Sequence, residues 1–115
     1  MTLGEVCFLT NDVVKLANFY KWLLNVDNGS DDAVHQTIIA RETMLTVYND
    51  GTPRNNANQN ICITFTVEDV CAEHARLAAK GVEILQPPTA QPWGAVNMCF
   101  RDPDGNLIYL RGFPK

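Results

Sequence analysis

The chain has no wholly apolar run longer than a few residues, so neither a membrane-spanning helix nor the hydrophobic stretch of a secretion signal is expected. It has no basic stripe either. Thirteen acidic residues against nine basic ones leave a formal net charge of −4, which argues against nucleic acid as a partner, because phosphates need cations to neutralise them. The four cysteines, Cys7, Cys62, Cys71 and Cys99, form no C-x-x-C pair, which excludes a zinc knuckle and a thioredoxin-type motif. With nothing pointing to secretion, reduced and mostly buried thiols are the expectation, in a soluble cytoplasmic protein. At 115 residues, 46% of them hydrophobic, one domain with a single core is expected over 1–115.

What the sequence does have is clearest near its end. Two apolar-rich runs flank Asp102-Pro103-Asp104-Gly105-Asn106, where proline presets φ for the first central position of a turn and glycine can take the left-handed conformation that closes it. Along these runs Val96, Met98 and Phe100 alternate with Asn97, Cys99 and Arg101, and Ile108 and Leu110 alternate with Leu107, Tyr109 and Arg111. One face is greasy. The other is mixed, and since Cys99, Leu107 and Tyr109 are poor choices for a surface meant only to meet water, that face reads as the wall of a pocket.

The start of the chain is strand-like from Glu5 to Leu9, with Val6 and Phe8 opposite Glu5, Cys7 and Leu9. Asn11 or Asp12 then caps a helix whose Val13, Leu16, Ala17, Tyr20, Leu23 and Leu24 share one stripe. Asn25 to Asp32 is polar and turn-rich. Two further strands follow, Val34 to Ala40 and Met44 to Asn49, joined through Arg41 to Thr43, and the register of 34–40 is open. Asp50 to Asn60 is rich in asparagine, has no apolar period, and reads as a mobile surface linker between a module of about 1–50 and one of about 60–115. In the second module Ile61, Ile63, Phe65 and Val67 alternate with Cys62, Thr64 and Thr66, and a helix carrying Val70, His74, Leu77 and Ala78 on one face ends at Gly81.

The two halves repeat. Phe8-Leu9-Thr10-Asn11-Asp12-Val13 overlays Phe65-Thr66-Val67-Glu68-Asp69-Val70 at an offset of 57 residues, with three identities and the same order of elements. The expected fold is therefore α+β: two tandem βαβββ modules, each with one helix on one sheet face, set side by side as a cup-shaped, partly open mixed sheet.

This repeat, with Phe19-Tyr20 and Leu23-Leu24 in the first helix, the Pro92-Trp93-Gly94 turn and the Arg101-Asp102-Pro103-Asp104-Gly105-Asn106-Leu107-Ile108 hairpin, resembles the vicinal oxygen chelate superfamily over essentially the whole chain. That superfamily includes glyoxalase I, extradiol dioxygenases, fosfomycin-resistance transferases and bleomycin-resistance proteins. In its metal-dependent members the resemblance assigns ligands to the positions of Glu5, Thr46, Cys62 and Tyr109, where His, Glu or Gln is usual. Only Glu5 fits. A divalent cation needs three or four imidazole or carboxylate donors with one site left open, so the usual metal site reads as dismantled and no cofactor is expected, a divalent metal being the alternative.

Tyr48, Trp93, Asn97, Cys99 and Tyr109 are the candidate ligand-binding residues, with Met44, Thr64, Thr66 and Arg111 as possible neighbours; aromatic and polarizable surface suits planar or amphipathic ligands. Packing at a dimer seam accounts equally well for the aromatic ones. Glu5 is the candidate catalytic base; its alternative is a solvated strand end. His35 is a candidate ligand or base, or simply exposed, and His74 is a helix residue. Cys7, Cys62 and Cys99 share one parity, as a thiol-lined pocket or as small core residues. The expected function is binding of a small organic molecule by a cytoplasmic homodimer similar to the bleomycin-resistance-like proteins. The alternatives are a lyase, isomerase or dioxygenase of the glyoxalase type, using a degenerate metal site or Glu5 as base, and an interaction module.

Overall fold

The computed structural model describes residues 1–55 and 60–114, and the chain divides after Asn55 into two compact units. The first unit comprises β1 (Glu5–Leu9), α1 (Val13–Leu24), β2 (His35–Ala40) and β3 (Met44–Tyr48). The second comprises β4 (Ile63–Thr66), α2 (Val70–Lys80), β5 (Ile84–Ala90), β6 (Val96–Arg101) and β7 (Leu107–Gly112).

The sequence repeat is a repeat of capping chemistry. Asp12 and Asp69, 57 residues apart, are the N-caps: the first accepts from the Lys15 N–H at 3.1 Å and the second from the Ala72 N–H at 3.0 Å. Each satisfies one of the orphan donors of its helix, a bond worth about 1 kcal/mol. Asn11, the other candidate cap, is used differently. Its side chain exchanges hydrogen bonds with the backbone of Arg54, donating to the carbonyl and accepting from the N–H. The described part of the asparagine-rich stretch is thus tied to the start of α1, while residues 56–59 of it lie outside the described residues.

Both units are open mixed sheets in which the first strand pairs parallel with the last. The orders are β1-β3-β2 and β4-β7-β6-β5. A parallel pair cannot be closed by a tight turn, so a crossover is required, and the capped helix supplies it on one sheet face. Cys7 lies opposite Thr46 in the β1–β3 pairing, and Thr64 lies opposite Tyr109 in the β4–β7 pairing. Thr46 and Tyr109 are therefore equivalent positions of the repeat.

The first module departs from the expected four strands: no strand lies between α1 and β2, and residues 25–34 run as a loop. Side chains do the work of the missing neighbour. Asn28 donates to the Thr37 carbonyl at 2.9 Å and to Gln36 Oε1 at 3.1 Å, Gln36 donates to the Asp32 carbonyl at 3.0 Å, and Lys21 donates to the Ser30 carbonyl at 2.7 Å. Asp32 in turn accepts from the His35 and Val34 N–H groups, which hold its carboxyl below the usual range. The last strand hairpin is tighter. Asp102, Pro103, Asp104 and Gly105 form a turn closed by the Gly105 N–H on the Asp102 carbonyl at 2.9 Å, with Gly105 at φ +87° as the left-handed residue. The buried Asp102 carboxylate accepts from the Asp104 N–H, the Asn106 N–H and the Asn106 side-chain amide, all at 2.9 Å. Pro87 and Pro88, which have no N–H to give, sit in the edge strand β5 at a register shift.

The core of the first unit gathers Leu16, Tyr20, Leu45 and Val47 beneath α1, with Phe8 stacked on Tyr20 at 4.9 Å between centroids. That of the second gathers Val70, Leu77, Met98, Phe100, Ile108 and Leu110. Several expectations are corrected. Phe19, edge-on to Tyr20, is buried in place of Leu24; Ala78 is exposed; Ile61 is 64% exposed because it precedes the β4 ladder, which starts at Ile63 opposite Ile108. Of the four thiols only Cys99 is buried, whereas Cys62 and Cys71 are exposed.

No described helix is long and apolar enough to cross a membrane. Two substitutions test the packing account by urea unfolding. A Cβ at Gly112 would stand 2.9 Å from Val70 Cγ2 and 3.2 Å from the Val67 carbonyl oxygen, so Gly112→Ala is expected to cost about 1–3 kcal/mol as an overpacked contact. Asp102→Ala, which strands the two backbone N–H groups of the hairpin, is expected to cost a similar ~1–3 kcal/mol. A neutral result for either would remove the corresponding contact from the account.

Candidate functional site

Because each helix covers one face of its sheet, residues of the opposite parity form a helix-free face. In the first unit this face is a grid of three rows, Glu5–Met44–Ala40, Cys7–Thr46–Thr37 and Leu9–Tyr48–His35, read directly from the strand register. Thr46 is at its centre. It is fully buried, and its Oγ1 has no hydrogen-bond partner among the described residues. Leaving a buried hydroxyl unpaired costs about 1–3 kcal/mol. Glu5 is exposed at the start of β1. Tyr48, 37% exposed, meets His35 edge-on at 5.7 Å between ring centroids. Thr37, opposite Thr46, escaped the sequence reading, because a bulge between Thr37 and Ile39 breaks the alternation that would have placed it.

The second unit presents the equivalent face. Thr64, Tyr109, Cys99 and Gln86 form one row across its four strands, and Thr66, Arg111, Asn97 and Thr89 the next. Asn97 is half-buried, and its Oδ1 is a buried acceptor with no partner. Cys99 and Tyr109 lie side by side. Burial pushes the Cys99 thiol up, against a smaller opposing effect of its hydrogen bond with Tyr109; the Tyr109 phenol is raised chiefly by the neighbouring Cys99, with burial adding to it. Both therefore stay protonated at neutral pH. Cys62, the counterpart of Glu5 in the repeat, is exposed immediately before β4. Trp93 is 69% exposed in the turn that closes through the Gln91 N–H on the Ala95 carbonyl at 2.8 Å.

Of the four positions to which the resemblance assigns a metal, two are thus occupied by uncharged hydroxyls, Thr46 and a phenol held protonated, one by an exposed thiol, and one by a carboxylate. By residue type these donors do not fit a divalent transition-metal ion, which takes imidazole, thiolate or carboxylate ligands. Among the described residues, no three His, Cys, Asp or Glu side chains are grouped so as to hold a metal ion. His35 and His74 are not brought into such a group.

Thiol reactivity checks this geometry. Alkylation of the native protein near pH 8, about the ordinary thiol pKa, is expected to modify exposed Cys62 and Cys71 quickly and Cys99 only on unfolding, by peptide mass mapping. Cys99 labelled as fast as Cys71 would contradict the burial described.

With the geometry in place, comparison with known proteins is informative. Residues 2–110 match the model of the Glyoxalase/Bleomycin resistance protein/Dioxygenase superfamily. The chain is 32% identical to the uncharacterized protein YraH of Bacillus subtilis (strain 168) over 127 aligned positions, covering 96% of this chain and 97% of that one. It is similar in structure to a glyoxalase-related enzyme from Fulvimarina pelagi, with a TM-score of 0.81 at 17% identity, covering 98% of this chain and 88% of that one. Lactoylglutathione lyase from Agrobacterium tumefaciens gives a TM-score of 0.72, also at 17% identity, covering 96% and 92%. Capped βα repeats, parallel closure of each sheet and a family match over nearly the whole length lead to one conclusion: this chain belongs to the glyoxalase/bleomycin resistance protein/dioxygenase superfamily.

Proposed function

We propose that the protein binds a small organic molecule on its helix-free sheet faces and does so without a catalytic metal. The observation that carries the reading is that two of the three buried, unpartnered side-chain polar atoms among the described residues, Thr46 Oγ1 and Asn97 Oδ1, lie each on the helix-free face of its own unit, the third being Arg54 Nε. Folded proteins rarely leave such groups unpaired, and a ligand's polar atoms are a natural complement. Around them stand Tyr48, Cys99 and Tyr109, which provide apolar and polarizable contact area while remaining uncharged. The chemistry at Glu5, Thr46, Cys62 and Tyr109 supports binding without a cation, because those side chains supply one carboxylate where three or four strong donors are needed.

No reaction step is assigned. The likeness to lactoylglutathione lyase, at 17% identity, extends to the fold and brings no activity with it. A homodimeric, cytoplasmic protein completes the proposal, on the resemblance alone.

The reading separates stability from binding at one residue. Thr46→Val removes the orphaned hydroxyl and keeps the shape, so thermal unfolding is expected to show unchanged or raised stability, by up to about 1–2 kcal/mol. Binding of small organic probes, screened by ligand-observed NMR, is expected to weaken in the same variant, and chelator treatment of the wild type to leave the hits intact. Loss of stability together with unchanged binding would show the hydroxyl to be structural. Stoichiometric transition metal in the purified protein, by elemental analysis, would overturn the metal-free reading.

A further inference from the structure

The helix-free face of the second unit carries an arginine with no ion-pair partner among the described residues. Arg111 lies in register between Thr66 and Asn97. Its Nε donates to Thr66 Oγ1 at 2.9 Å, and its guanidinium carbon sits 5.4 Å from the centroid of the Phe113 ring. Two contacts thus orient the exposed guanidinium, and neither uses its terminal nitrogens. Ion pairs among the described residues join Arg54 to Asp50, Arg76 to Glu73 and Arg101 to Glu83, but none involves Arg111. The row itself, Thr66–Arg111–Asn97–Thr89, contains no carboxylate. In a chain where thirteen acidic residues outnumber nine basic ones, an arginine flanked in its row by neutral side chains stands out. An arginine fork oriented in advance loses less entropy on binding and favours planar, bidentate oxyanions.

Asn97, directly across the strand pair from Arg111, adds the second element. Its Oδ1 is buried and unpaired, so it calls for a donor. Side chains directly opposite on neighbouring strands have Cβ atoms about 4.5–5.5 Å apart, so Arg111 and Asn97 stand as neighbours on one face.

We propose that this row is an oxyanion subsite and that the ligand is a small organic acid that also carries a hydroxyl or N–H donor. The terminal nitrogens of Arg111 hold the oxyanion, and Asn97 accepts from the adjacent donor. Thr66 acts as a positioning residue, holding the guanidinium plane. This inference rests on the ligand-binding reading above and names its substrate class.

The test is a titration of the full chain followed by amide NMR, with four probes: mandelate, which has both groups; phenylacetate, which has only the acid; 1-phenylethane-1,2-diol, which has only hydroxyls; and phenyl phosphate. Mandelate is expected to shift the amides of Thr66, Asn97 and Arg111, to bind about tenfold or more tightly than the diol, and to weaken as salt is added. Arg111→Met is expected to bring mandelate down to the diol's affinity while leaving the diol unchanged, and Asn97→Leu to bring it down to that of phenylacetate. Phenyl phosphate binding more tightly than phenylacetate identifies a phosphate ligand; the reverse order identifies a carboxylate. An acid preference that survives Arg111→Met, or equal binding of acid and diol, overturns the subsite while leaving ligand binding by the face intact. Absence of any shift in this row with all four probes also overturns it, and the ligand-binding reading then stands or falls on Thr46→Val.

Discussion

Each unit is organised by the parallel pairing of its first strand with its last. That pairing forces a helical crossover, the crossover covers one face of the sheet, and the alternation of side chains then leaves a second face with no helix of its own to pack against. The molecule's distinctive chemistry follows from this asymmetry. Greasy residues such as Val47, Met98 and Leu110 meet the helices, and their neighbours in sequence, Thr46, Asn97 and Tyr109, turn the other way. A helix cap and a hairpin turn hold the frame: Asp12 and Asp69 start the crossovers, and Asp102 closes the last hairpin with both carboxylate oxygens.

Polar groups buried without partners are unfavourable in a fold selected only for stability. Two occur among the described residues at helix-free positions. The helix-free face of the second unit presents hydroxyl, amide, thiol and phenol, with Arg111 as the charged residue of its row. On the reading proposed above, the neutral donors and acceptors recognise a ligand by geometry and the guanidinium selects its sign.

Much of this was legible in the residues. The repeat offset, the caps, the alternation through β6 and β7 and the turn chemistry of Asp102 to Asn106 are local rules written in neighbouring side chains, and they placed the elements and the parity of Thr46, Asn97, Cys99 and Tyr109. What escaped depends on long-range register. The bulge at Thr37 hid the neighbour of Thr46, and the loop of residues 25–34 stands where the repeat implied a strand, because Asn28 and Gln36 satisfy the edge of β2 with side chains instead of backbone. Exposure of Ile61, Ala78, Cys62 and Cys71 was likewise invisible, since periodicity assigns a face and says nothing of how far the ladder or the opposing layer extends. The lack of a partner at Thr46 Oγ1 among the described residues, and the bond that ties Arg111 to Thr66, required coordinates.

The central claim is that the buried polar atoms of the helix-free faces are completed by an organic ligand. A crystal structure of the protein as purified, at a resolution that distinguishes an organic molecule from an ion, tests it most directly. The account predicts density for a small molecule within hydrogen-bond distance of Thr46 Oγ1 or of the Asn97 amide, with no cation ligated by Glu5 or Cys62. An ordered metal ion bound to either of those residues, or a protein side chain capping Thr46 Oγ1 and Asn97 Oδ1, would contradict it.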